Sequence, residues 1–336
     1  MTKPHRPLAG VHLTGRGIVV AAEGEIRRHV HDKHLTSEDL AGLVSALIAA
    51  DCAGRTCVVA VPADWPLPAW FVLQHHAQAA GVGGLRIISD LAAAGLAYGV
   101  REKTKRFQVM DATAGLGARF RWEDGVCELR RLGRMTEMTQ KSYPGVCFGG
   151  DMPVFPREDD LPAQGALLQA QVLTGAIDNV LLLDGSACSW QVRTPGVGWD
   201  TLVGLGQSIP VRRCRKMAKG TKRLRLRAVG PGGGVWLQHV LALPGDTQSR
   251  KTLEINVDAG QEVTVRILDR RGKELVASLL AGSLQDAERK SLRLPQRRSQ
   301  ILTPEEINTM MLGLDEDASD ACKAQAGGFG GECAPR

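Results

Sequence analysis

Hydrophobic and polar positions change rhythm midway along the chain. In the first half, short apolar runs alternate with segments of helical spacing. Leu8-Ala9-Gly10-Val11-His12-Leu13 and Gly17-Ile18-Val19-Val20-Ala21-Ala22 read as a strand and hairpin, with a turn at Glu23-Gly24. Leu40, Leu43, Val44, Leu47 and Ile48 then recur at helical spacing behind an N-cap pattern of Thr36 and Asp39. Cys57-Val58-Val59-Ala60-Val61 is an apolar run of the kind a buried strand requires, ended by Pro62. The pattern predicts a helix over about 68–80 stopped by Gly81, a strand at 85–88, an alanine-rich helix at 92–98 and a strand at 107–111. Two strands, 119–122 and 126–129, flank the hairpin signal Glu123-Asp124-Gly125, and a helix at 161–174 ends at Gly175.

From about 186 to 278 strict alternation takes over, as in Arg223-Leu224-Arg225-Leu226-Arg227, Leu253-Glu254-Ile255-Asn256-Val257 and Val263-Thr264-Val265-Arg266-Ile267. Alternation puts one strand face in a core and the other in water, and several such strands predict a β-sandwich. A short helix at 304–311 begins with Thr303 as N-cap and Pro304 at its first position. The tail Gly327-Gly328-Phe329-Gly330-Gly331 has the composition of a disordered segment.

Charge sharpens this picture. The chain of 336 residues carries a net charge of +6, and the excess is concentrated: 212–227 holds nine Lys or Arg and no Asp or Glu. Aromatic content is only 4%, which weakens a base-stacking role for that basic block. No apolar run is long enough to span a bilayer, and the N-terminus lacks the apolar core of a signal peptide, so a cytoplasmic protein is expected. The cysteines at 52, 57, 127, 147, 188, 214, 322 and 333 form no Cys-x-x-Cys pair and read as reduced, mostly core residues. His75 and His76 are helix neighbours that point apart, and His29, His31 and His34 beside Asp32 read as a solvated loop, so no metal site is expected. Gly230-Pro231-Gly232-Gly233-Gly234 lacks the ending of a phosphate loop, and Ser186, Cys188 and Ser189 have no nearby His–Asp partners for nucleophilic catalysis.

A series of segments, in order, resembles the DnaK-type heat-shock chaperone family. These are Val59-Ala60-Val61-Pro62-Ala63; Ala79-Ala80-Gly81; Leu85-Arg86-Ile87-Ile88-Ser89-Asp90-Leu91 through Tyr98-Gly99; Phe148-Gly149-Gly150-Asp151; Leu173-Thr174-Gly175; Val180-Leu181-Leu182-Leu183-Asp184; Thr201-Leu202-Val203 with Ser208-Ile209-Pro210; and Leu302-Thr303-Pro304-Glu305-Glu306-Ile307. The resemblance implies a fold of class α/β plus all-β. A reduced actin-like (ribonuclease-H-like) ATPase domain at 8–178 would lead through a linker at 179–185, with Leu181, Leu182, Leu183 and Asp184, to a peptide-binding β-sandwich at 186–300. A truncated helical lid and a disordered tail at 301–336 would follow.

The same resemblance exposes losses. Where the family has Asp-Leu-Gly-Thr-Thr, this chain has His12-Leu13-Thr14-Gly15-Arg16. Where it has Asp-Leu-Gly-Gly-Gly-Thr, this chain has Asp111-Ala112-Thr113-Ala114-Gly115-Leu116. The family's catalytic lysine has no counterpart. Mg²⁺ needs oxygen ligands and phosphates need backbone N–H groups, so ATP hydrolysis is not expected. Asp111, Gly115, Gly149, Gly150 and Asp151 are read as vestiges of a nucleotide site, with no catalytic residue, no cofactor, and residual ATP binding as the alternative.

The expected function is a chaperone-like or adaptor protein whose slot and cationic rim suit extended or acidic protein or peptide clients. Val192, Met217, Leu224 and Leu226 would line the peptide slot and the cations would form its rim; the arch position of the groove falls on Pro195. Ordinary core packing of the same leucines is the alternative, because alternation is identical in both cases. The rival functions are a weak nucleotide-regulated ATPase and a nucleic-acid binder using 212–227.

Overall fold

The computed structural model describes residues 7–14, 17–22, 24–30, 40–47, 50, 52–138, 143–194, 198–243 and 249–281. Among them the chain forms eighteen strands and five helices. The first sheet joins β1 (Leu8–Thr14), β2 (Gly17–Ala22), β3 (Glu25–Val30), β4 (Thr56–Val61) and β5 (Gly83–Ser89) in the order β3-β2-β1-β4-β5. The first three strands make an antiparallel meander, and β4 and β5 add in parallel. β4 is buried along nearly its whole length, as its unbroken apolar run requires. Helices α1 (Leu40–Leu47) and α2 (Leu67–Ala79) belong to this part, with Pro68 in the first turn of α2, where its missing N–H does no harm.

The second sheet repeats the plan. It contains β6 (Arg106–Asp111), β7 (Leu116–Glu123), β8 (Val126–Arg134), β9 (Gly145–Phe148) and β10 (Leu181–Leu183) in the order β10-β8-β7-β6-β9. Strands β6, β7 and β8 form the meander and β9 adds in parallel to β6. The β7–β8 turn has Asp124 and Gly125 at positive φ, the geometry that an Asp-Gly hairpin favours. Helix α3 (Asp90–Glu102) starts under the Ser89 hydroxyl, which accepts from the Ala92 N–H at 3.1 Å. It packs against α5 (Leu161–Thr174) so closely that a Cβ on Gly165 would meet the Ala93 carbonyl at 1.7 Å. A four-residue helix, α4 (Met135–Met138), follows β8.

Eight further strands make two antiparallel sheets. One contains β11 (Ser189–Thr194), β12 (Gly198–Val203), β14 (Arg223–Val229) and β15 (Val235–Ala242), ordered β12-β11-β14-β15. The other contains β13 (Val211–Lys216), β16 (Thr252–Val257), β17 (Val263–Leu268) and β18 (Glu274–Ala281), ordered β13-β16-β17-β18. Trp190, Leu226 and Leu237 from the first and Ile255, Val265 and Ile267 from the second belong to one buried apolar cluster.

These observations correct the expected fold. The described residues build four small, strand-rich sheets with five helices, not an actin-like α/β ATPase domain. The finding that overturns it is the balance of elements, since eighteen strands in four sheets stand against five helices, one of them only four residues long. The segment read as a linker is an edge strand, since Leu181, Leu182 and Leu183 pair in parallel with Val126, Cys127 and Glu128. The lid helix, the glycine-rich tail, Gly15, Arg16, His31, His34 and Pro195 lie outside the described residues.

Candidate functional site

β6 and β9 are parallel neighbours, so the turns that follow Asp111 and Phe148 leave the second sheet side by side. These turns carry the residues read as nucleotide-site vestiges. Asp111 is buried, and its Oδ1 accepts from the N–H groups of Thr113 at 2.9 Å and Ala114 at 3.1 Å. The Thr113 hydroxyl donates to the Gly149 carbonyl at 2.6 Å. The Gly149 N–H donates to Asp159 Oδ1 at 2.9 Å. Gly149 and Gly115 adopt positive φ, and a Cβ on Gly149 would meet Thr113 Oγ1 at 2.5 Å.

Three backbone donors of these turns, those of Thr113, Ala114 and Gly149, therefore go to the chain's own carboxylates. Arg157 holds the cluster from outside, donating to Asp159 Oδ2 at 2.7 Å and to Asp151 Oδ1 at 3.1 Å. Burial pushes the Asp159 carboxyl up, but Arg157, the Gly149 N–H and the charge of His12 together bring it below the usual carboxylate range. A phosphate entering here would meet Asp111 and Asp159 where it needs free N–H groups. His12, buried and edge-on to Phe148 with ring centroids 5.8 Å apart, brings an imidazole where the resemblance implies a metal-binding carboxylate. Sequence reasoning passed over Asp159 and Arg157, although they stand in the charged run Pro156-Arg157-Glu158-Asp159-Asp160. Their role depends on β9 returning them to Gly149.

The four residues assigned to a peptide slot are placed differently. Val192, Leu224 and Leu226 are 3%, 3% and 0% exposed and lie in the core between the two sandwich sheets. Met217 is half-buried against the same core, and its N–H donates to the Lys251 carbonyl at 2.9 Å. Val192, Leu224 and Leu226 offer no surface to a client, so for these three the slot reading is corrected to core packing, while Met217 keeps part of its side chain exposed. Asp184 is buried at the foot of the sandwich. Its carbonyl accepts from the Ile209 N–H, its carboxylate from the Gly185 N–H, and burial pushes its pKa up to about 6.

What the sandwich does expose is its edges. Strands β12, β13 and β18 each carry a charged residue, as edge strands do when they resist pairing with other chains. β15, Val235-Trp236-Leu237-Gln238-His239-Val240-Leu241-Ala242, has no Asp, Glu, Lys, Arg or Pro. Among the described residues it pairs with β14 on one side only. Val235 and Val240 on it are 51% and 55% exposed.

Among the described residues no group of three or more His, Cys, Asp or Glu is placed to hold a metal ion, and no helix is long and apolar enough to cross a membrane. No protein-family model matches the chain, and no curated protein matches it.

Proposed function

We propose that this chain is a non-catalytic, polypeptide-binding protein of chaperone or adaptor type, working in the cytoplasm and without ATP hydrolysis. It takes an extended segment of another protein as an added strand along β15. The observation that carries this reading is the uncharged edge with Val235 and Val240 exposed. Strand addition draws affinity from main-chain hydrogen bonds and selectivity from alternate side chains, and it needs such an unpaired edge. The self-bonded turns at Asp111 and Gly149 support the absence of ATP turnover. The ordered motifs resembling DnaK-type chaperones support polypeptide binding, although the fold they imply is not the one described above.

The test is a Val235→Glu/Val240→Glu double variant, which puts charge on the edge and, at 240, a carboxylate opposite Arg225. Its melting temperature should stay near that of the parent, while binding of a labelled extended peptide, followed by anisotropy, should be lost. Unchanged binding in the variant would remove β15 from the account. Mg-ATP hydrolysis that disappears on Asp111→Asn would replace this reading with the ATPase one.

A further inference from the structure

The face of the sheet that carries β15 has a one-sided charge. On β14, Leu224 and Leu226 point into the core, so Arg223, Arg225 and Arg227 point outward. The ladder places Arg225 opposite Val240 and Arg223 opposite Ala242 on β15. On the other side, one step past the Val192–Leu226 pair of the β11–β14 ladder, Arg193 comes beside Arg225. Like charges on neighbouring strands repel. No Asp or Glu occupies an outward position on these four strands, and Arg193, Arg223 and Arg225 form no ion pair among the described residues. Asp200 on β12 turns to the other sheet and pairs with Arg215.

We infer that the segment taken up along β15 is acidic, with carboxylates at alternate positions facing Arg223 and Arg225. This rests on the strand-addition reading and specifies its ligand. An added strand would run about 4.8 Å beyond β15, and its outward side chains would repeat about every 6.7 Å, the same interval that separates Arg223 from Arg225. Between them stand only the short side chains of Val240 and Ala242, over which an arginine and a glutamate can meet. Arginine presents paired N–H donors that match a carboxylate. The repulsion between Arg193 and Arg225 is relieved when an anion arrives, so charge adds to the main-chain bonds of the edge. A nucleic acid is the less suited polyanion. Single strands bind by stacking on open aromatic faces, and the Trp199 ring on this face is already covered by the Arg227 guanidinium, 4.2 Å from its centroid.

The experiment compares two short labelled peptides in anisotropy titrations against the full chain, one of alternating Thr and Glu, the other of alternating Thr and Gln. A single-stranded thymidine oligonucleotide serves as competitor. The Thr–Glu peptide should bind at least about tenfold more tightly, and added salt should erase the difference. Arg223→Gln/Arg225→Gln should bring the Thr–Glu peptide down to the level of Thr–Gln, and Arg225→Lys should give an intermediate loss. Arg213→Gln, on the far edge β13, should change nothing. Melting curves check that each variant is folded. Equal binding of the two peptides, or an unaffected double variant, would overturn the acidic inference and leave strand addition standing. Failure of both peptides to bind would overturn strand addition as well. Displacement of the Thr–Glu peptide by lower concentrations of the oligonucleotide than of unlabelled peptide would assign the face to nucleic acid instead.

Discussion

Of the sandwich's edge strands, β13 carries Arg212, Arg213, Arg215 and Lys216, whereas β15 carries no charged residue. Both are edges of four-stranded antiparallel sheets, each hydrogen-bonded to one neighbouring strand among the described residues. On β13 the cations keep water at the edge, and two of them are tied down, Arg212 to the buried Glu254 and Arg215 to Asp200. On β15 the exposed valines favour a partner, and the nearest cations lie one strand inward on β14. Basic charge alone therefore does not identify a binding surface in this chain. The same composition blunts one edge and, displaced by a strand, can select the partner of another.

The sharpest way to break the comparison is to attack the strand beneath β15. Leu226 is fully buried, so Leu226→Asp places an unpaired carboxylate in the core at a cost of several kcal/mol. The melting temperature should collapse together with peptide binding. A variant that melts normally would mean that β14 turns its leucines to water and that the face assignment is inverted.

A smaller effect comes from the frame that holds both edges. Asp184 is buried at the foot of the sandwich with its pKa raised from 3.8 to about 6. The folded state holds this proton more tightly than the unfolded chain does. Its contribution to stability is thus full below about pH 4 and lost as pH rises through about 6, a change on the order of 3 kcal/mol. Urea titrations at intervals from pH 4 to 7 should show that decline, and Asp184→Asn should flatten it. A decline of the same size in the variant would assign it to other groups.

The smallest change in stability should come from stripping the charge off β13. Arg213→Val/Lys216→Val alters exposed positions, so stability should move by no more than about 0.5 kcal/mol. Self-association, followed by sedimentation velocity, should rise, because only Arg212 and Arg215, both held in ion pairs, would remain charged on the strand. Unaltered sedimentation would show that charge is not what keeps β13 unpaired.

The strands of the sandwich were legible because burial on one face imposes period two. Leu224 and Leu226 alternate with arginines in the sequence and are buried in the structure. The Asp124-Gly125 turn and the Gly175 helix stop were legible because positive φ restricts residue choice. Which element covers the buried face was not legible. A groove and a sheet-to-sheet core both present apolar residues at alternate positions, so the slot assigned to Val192, Leu224 and Leu226 was a coin whose other side is core packing. The strand at 181–183 was hidden for a related reason, since three leucines specify burial but not the β8 edge that supplies it. The closure of the Asp111 and Gly149 turns rests on Asp159, ten residues beyond Gly149, and a contact at that range follows from the path of the chain rather than from local pattern.

The most direct test of strand addition is amide hydrogen exchange with and without the alternating Thr–Glu peptide. The account predicts slower exchange along β15, from Val235 to Ala242, with the turns after Asp111 and Phe148 unchanged. Unaltered exchange in β15 on saturation with peptide, or protection confined to those turns, would contradict it.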